Sequence, residues 1–158
     1  MSRSKTRKLS TSAPASAAEL KARALRYLAR REHSRAELSR KLLPFAASQQ
    51  LLDVLLSELE GRKLLSNHRF AEMRSHILSR KYGAAKIRQD LKSKGVSDEI
   101  VDSVSAEGEL ERAAAILQRK YRSAAKTREE KAKRARFLQG RGFSSEVIYR
   151  LIRIDGNE

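Results

Sequence analysis

Apolar residues in this chain recur in short bursts at helical spacing. Leu20, Ala24, Leu25 and Leu28 share one side of a helix over about residues 16–31. Ser34-Arg35-Ala36-Glu37 has the spacing of a capping box, opening a second helix that carries Leu38 and Leu42 and closes at Pro44. Ser48 precedes a third helix with Leu51, Leu52, Leu55, Leu56 and Leu59, and Gly61 is its expected stop. A shift of 49 residues returns the pattern without a gap: Leu28 falls on Ile77, Leu38 on Ile87, Leu42 on Leu91, Ser48 on Ser97 and Leu52 on Val101. A third copy begins at a shift of 39, which carries Ile77 to Ile116 and Tyr82 to Tyr121. The shift then becomes 47, with eight residues inserted around 123–130, so that Leu91 meets Leu138, Gly95 meets Gly142, Ser97 meets Ser144 and Val101 meets Ile148.

The pattern predicts an all-α fold of three tandem three-helix repeats, over 17–66, 67–106 and 107–154, behind a disordered basic tail at 1–16. Ser48, Ser97 and Ser144 are placed to cap the third helix of each repeat, and Gly95 and Gly142 to end the second in a left-handed turn. Pro44-Phe45 replaces that glycine turn in the first copy. Repeats this small bury little alone and lean on their neighbours, giving an elongated molecule, with curvature left open, about 50–70 Å end to end.

Composition narrows the chemistry. Of 158 residues 40% are hydrophobic but only 5% aromatic, and two prolines and seven glycines are too few for the turns of an all-β fold. There is no cysteine, which excludes disulfides, thiolate zinc sites and thiol catalysis. No apolar run approaches ~18 residues, so no membrane partner is expected and the cytoplasm is the expected compartment. The net charge of +16 lies beyond the 2–8 or so that solubility asks of a small domain, and every repeat carries an excess of cations. Such a field favours a polyanionic partner: a nucleic acid or nucleoprotein, an acidic protein surface, or both.

Candidate catalytic groups are few. His68, Glu72 and His76 lie at i, i+4 and i+8, a possible metal ladder, but two histidines two turns apart need a third element to share an ion, and no HExxH is present. Gly83-Ala84-Ala85-Lys86 lacks the spacing of a phosphate-binding loop. Glu129 and Glu130 suit the first turn of a helix capped at Thr127. No enzymatic activity, cofactor or metal is expected.

The basic positions are more informative. Arg80-Lys81-Tyr82 and Arg119-Lys120-Tyr121 occupy one repeat position, so two repeats should display the same basic corner. On the helix over 84–94, Arg88 and Lys92 share a flank and, with Lys94, form a cationic edge facing solvent; Lys86 points the other way. Lys126, Lys131, Lys133, Arg134, Arg136 and Arg141 form the densest basic helix, over 126–141. A helix, a break and a basic helix also fit helix-turn-helix DNA recognition, although charge spread over repeats suits backbone contact better than base readout.

The run 79–96 (SRKYGAAKIRQDLKSKGV) closely resembles the central signature of the RecX regulatory proteins; 25–38 (LRYLARREHSRAEL) resembles the opening segment of that family and 133–143 (KRARFLQGRGF) its third repeat. The likeness covers about residues 18–153. Two departures are Ser66-Asn67, where an acidic cap is frequent, and Ala84, where proline is common. The resemblance implies a monomeric, non-catalytic modulator of the RecA recombinase, acting in recombination, DNA repair and the SOS response. Such a protein lies along the RecA–single-stranded DNA filament and suppresses its ATPase and strand exchange. The alternative is a free-standing DNA-binding protein without sequence preference.

Overall fold

The computed structural model describes residues 13–154, and all regular structure among them is helical. Helices α1 (Ala17–Arg30), α2 (Arg35–Leu42) and α3 (Gln49–Gly61), with a 3-10 turn over Leu43–Phe45, build the first repeat. Helices α4 (Asn67–Ser79), α5 (Ala84–Ser93) and α6 (Asp98–Asp102) build the second, and α7 (Glu109–Lys120), α8 (Arg128–Gly140) and α9 (Ser145–Ile154) the third. No helix among the described residues is long and apolar enough to cross a membrane.

Most of the expected tail, residues 1–12, lies outside the described residues. Its end is ordered, contrary to expectation: the Ala15 N–H donates to the Phe45 carbonyl at 2.9 Å, and the Ser16 hydroxyl caps α1 by accepting from the Glu19 N–H at 3.2 Å.

Helical spacing delivers each repeat its own core. Leu20, Ala24, Leu38, Leu42, Leu52, Leu56 and Leu59 close the first; Phe70, Ile87, Leu91, Val96 and Val101 the second; Ala113, Ile116, Leu117, Leu138 and Phe143 the third. Each buried Leu, Ile or Phe contributes about 1.5–3 kcal/mol. The extensive helix–helix packing falls inside repeats, so three small cores stand in series.

One joint, used twice, connects the repeats. The first turn of the second helix in one repeat sits on the glycine turn of the next. The Ser34 hydroxyl donates to the Lys94 carbonyl at 2.8 Å, and the Gly83 and Ala85 N–H groups donate to the carbonyls of Arg141 and Gly142 at 2.8 and 3.2 Å. Gly95 and Gly142 take the left-handed backbone expected of them, at φ 76° and 84°. They also make room: a Cβ on Gly95 would lie 2.6 Å from that of Ala36, and one on Gly142 2.5 Å from that of Lys86. Handedness explains the turn and proximity explains the docking. The Asn67 amide oxygen, at one of the departures from the family pattern, accepts from the Arg35 N–H at 2.8 Å across the first joint.

Gly61 is the last residue of α3, the expected stop, and the left-handed conformation beyond it is taken by Lys63 at φ 59°. The turn carries the N–H groups of Leu64 and Leu65 onto the Leu59 carbonyl and draws Leu65 into the core, which offsets a cost of about 1–2 kcal/mol. Ser48 and Ser144 accept the expected capping bonds, from Leu51 and Val147, but the Ser97 side chain makes none, and α6 is only five residues long. The basic helix expected over 126–141 begins at Arg128, leaving Lys126 before its Thr127 cap.

Candidate functional site

The two basic corners that repeat at a shift of 39 meet in space. Because Gly83 is fastened to Arg141, the end of α4 lies against the ends of α7 and α8, and a cleft of about 570 Å³ opens between the second and third repeats. Arg80, Lys81, Arg119, Lys120 and Arg141 line it, over a floor of Tyr82, Ile116 and Phe137. No acidic side chain lines the cleft, and among the described residues none of these five cations forms an ion pair.

Local forces explain how five cations share so small a space. Arg80 and Arg141 cap the C-termini of α4 and α8, while Arg119 and Lys120 end α7, so each cation sits where helix carbonyls project a partial negative charge. The Arg119 guanidinium donates to the Arg80 carbonyl at 3.1 Å and that of Arg141 to the Lys81 carbonyl at 3.5 Å. Lys120 stands 4.0 Å over the Phe137 ring, and Arg141 spans Phe137 and Tyr82 at 5.1 and 5.4 Å. Carbonyls and rings orient the cations without neutralising them, leaving the full charge to attract an external anion.

The rest of the chain treats its charge differently. Lys21 with Glu58, Arg35 with Glu60, Arg69 with Glu32 and Arg74 with Asp90 are paired at 2.7–2.8 Å. The Arg74 guanidinium beside Asp90 holds that carboxyl below its usual range, although part burial works against it. In the third repeat, by contrast, carboxylates serve backbone amides. Glu109 is buried and accepts from the Ala84 N–H at 3.0 Å, supplying α5 with the cap that Gly83 cannot. Glu130 closes the box on Thr127, and the N–H groups of Lys126 and Thr127 hold its carboxyl below the usual range.

Several predicted site residues lie elsewhere. Arg134 is no surface cation: it is buried, 4.4 Å over the Tyr121 ring, and donates to the Ser123 carbonyl at 2.6 Å. Tyr121 packs into the third core and faces Phe137 edge-on, so the second corner contributes Arg119 and Lys120 but not its tyrosine. Arg88 is half-buried instead of solvent-facing, donating to the Val104 carbonyl at 2.8 Å and so fastening the end of the second repeat. Lys94 is half-buried, with its carbonyl in the first joint. Lys92 is exposed, 3.7 Å from Asp98. Lys86, Lys126, Lys133 and Arg136 are exposed and Lys131 half-buried, all outside the cleft lining. His68, Glu72 and His76 border a hollow of about 630 Å³ between the second repeat and the start of the third, but no three His, Asp or Glu side chains among the described residues are placed to hold a metal ion.

Comparison with known proteins agrees with this architecture. Family models match the chain in its own order: RecX first three-helix domain at 21–44, second three-helix domain at 66–104 and third three-helix domain at 107–152. The regulatory protein RecX of Ralstonia nicotianae is 46% identical over 136 residues, covering 84% of this chain and 86% of its own length. That of Leptothrix cholodnii is 42% identical over 142 residues, covering 88% and 90%. The crystal structure of RecX from Lactobacillus salivarius matches the fold with a TM-score of 0.77 at 20% identity, over 87% of this chain and 95% of that one. A second crystal structure of regulatory protein RecX gives 0.70 at 26% identity, over 87% and 74%. With all three repeats matched in sequence and in fold, the chain belongs to the RecX family of regulatory proteins.

Proposed function

We propose that this chain is a non-catalytic regulator that binds the RecA–single-stranded DNA filament as a monomer in the cytoplasm and lowers its ATPase and strand-exchange activity. The observation that carries the reading is the cleft: five cations at helix ends, none in an ion pair among the described residues, opening onto solvent. A filament offers a repeating polyanion beside protein, and three repeats on stiff joints suit a contact extending along it. If all five cations meet phosphates of a single strand, the logarithm of affinity falls with the logarithm of salt at a slope of roughly −3.5.

The test is RecA-dependent ATP hydrolysis on single-stranded DNA with Lys81→Glu/Lys120→Glu. Both side chains are exposed and accept no structural duty beyond a ring contact, so the fold should survive. Inhibition by the double variant should weaken by about tenfold or more; undiminished inhibition would reject the cleft as the contact. The absence of acid in the cleft equally favours bare phosphate, the free-standing DNA-binding alternative. Tight binding to naked DNA without preference for the filament would choose that reading.

A further inference from the structure

In each of the first two repeats an arginine bridges from the second helix to the third helix or the loop after it, whereas the third repeat holds an open groove between these helices. In the first repeat Arg35 reaches from α2 across to α3, donating to the Glu60 carboxylate at 2.8 Å, the Ser57 hydroxyl at 3.3 Å and the Asp53 carbonyl at 3.4 Å. In the second, Arg88 crosses to the Val104 carbonyl. At the register of 47 the counterpart of Arg88 is Ala135, too short to cross; over the successive shifts of 49 and 47 the counterpart of Arg35 is Lys131 and that of Asp53 is Tyr149. What remains is a hollow of about 510 Å³ between α8 and α9, floored by Ala135, Ile148 and Ile152, with Tyr149 on its wall and Lys131 and Arg153 at its rim. Helix α9 is strongly amphipathic, yet none of its residues is fully buried, and Tyr149 is 65% exposed. Its apolar face is only half covered.

We propose that this groove docks an amphipathic helix of a partner protein, apolar on one side and acidic along its flank. The floor suits side chains at i, i+3, i+4 and i+7 of such a helix, and a partner of about 15 residues spans the length of α9 with some overhang. Charge selects the acidic flank: Lys131 and Arg153 form no ion pair among the described residues, and no carboxylate lines the groove. A second copy of this chain would set the same two cations against themselves. A nucleic acid would leave Ile148, Ile152 and Tyr149 unused. The groove shares no residue with the basic cleft, since Phe137 and Arg141 leave α8 on the other side of its buried edge at Arg134 and Leu138.

The experiment uses the full chain and two fluorescein-labelled synthetic peptides of about 15 residues and equal negative charge. One carries leucines at i, i+3, i+4 and i+7; the other replaces them by serine. In fluorescence anisotropy at physiological salt the leucine peptide should bind at least about tenfold more tightly. Tyr149→Ala and Lys131→Glu should each weaken it about tenfold, while Lys81→Glu/Lys120→Glu in the cleft leaves it unchanged. Tyr149 is mostly exposed, so an unchanged melting curve should accompany its replacement. Equal binding of the two peptides, or no effect of Tyr149→Ala, overturns the proposal. So does sedimentation equilibrium giving a two-chain mass that Tyr149→Ala returns to one.

Discussion

Replacing Gly142 by alanine tests the joint between the second and third repeats directly. The residue sits at φ 84°, and a left-handed backbone costs an L residue about 1–2 kcal/mol. The new Cβ would lie 2.5 Å from the Lys86 Cβ, 2.6 Å from its nitrogen and 3.0 Å from its Cα. Two of those atoms are α5 backbone, held in place by the buried Ile87 and Leu91, so relief by side-chain rotation is closed. Overpacking of this kind costs about 1–3 kcal/mol, and the stiffer unfolded chain returns about 0.4–1, leaving about 3 kcal/mol against the joint. Three small cores in series confine the damage. Native-state hydrogen exchange should therefore show the Gly83 and Ala85 amides, which bond across the joint, exchanging roughly a hundredfold faster. Amides inside α1, α2 and α3 should keep their protection. An unchanged rate at Gly83 and Ala85, or a uniform acceleration through all three repeats, would refute the reasoning.

At the first joint Gly95→Ala meets only the Ala36 Cβ, so adding Ala36→Gly should recover the steric part of the loss in a double-mutant cycle read by urea denaturation, leaving about 1–2 kcal/mol of backbone cost. Arg134→Met should destabilise by about 1–3 kcal/mol, because the Ser123 carbonyl loses its donor, whereas Lys133→Ala should stay within about 0.5; equal effects in thermal melts would refute the buried placement of Arg134. His33 is buried between the Arg31 carbonyl, 3.0 Å from Nδ1, and the Lys41 ammonium, 2.9 Å from Nε2. Burial lowers its pKa from 6.5, outweighing the bond to Arg31, so the unfolded chain takes up the proton first. Its contribution to stability is complete above pH 6.5 and lost as the pH falls from there toward the folded-state value; the urea midpoint should drop between pH 7 and 5, and His33→Leu should flatten that slope.

How far the sequence led differs from residue to residue. Ser34 with Glu37, Thr127 with Glu130, and the glycines at 95 and 142 were legible because caps and left-handed turns are decided by neighbours within four residues. The inward turn of Arg134 had a signal, since it lies one helical turn before Leu138 on the core face. The row of cations around Arg134 on α8 masks that signal. Phe137 had one too: it stands four residues before Arg141, where a ring can lie beneath a guanidinium. Arg88 gave none, because its acceptor is a main-chain carbonyl in the loop after α6. Nor did the meeting of the two basic corners, which follows from Gly83 docking on Arg141 at a separation that no short-range pattern encodes.

The joint also sets a limit on counting. Where a preceding repeat would seat on a glycine turn, the first repeat has Leu43–Phe45, closed by the Ala15 amide and by Arg23 stacked 3.7 Å over the Phe45 ring. Where α2 and α5 offer their opening turn to the next repeat, α8 starts at Arg128, three residues earlier in register than α5, and its own capping box occupies that turn. Among the described residues, neither end of the array offers a second chain the same contact. If the proposed filament contact holds, such a protein should work as a gauge of fixed length: copies laid along the filament would act one by one, and coverage would rise with dose instead of spreading from a first bound molecule.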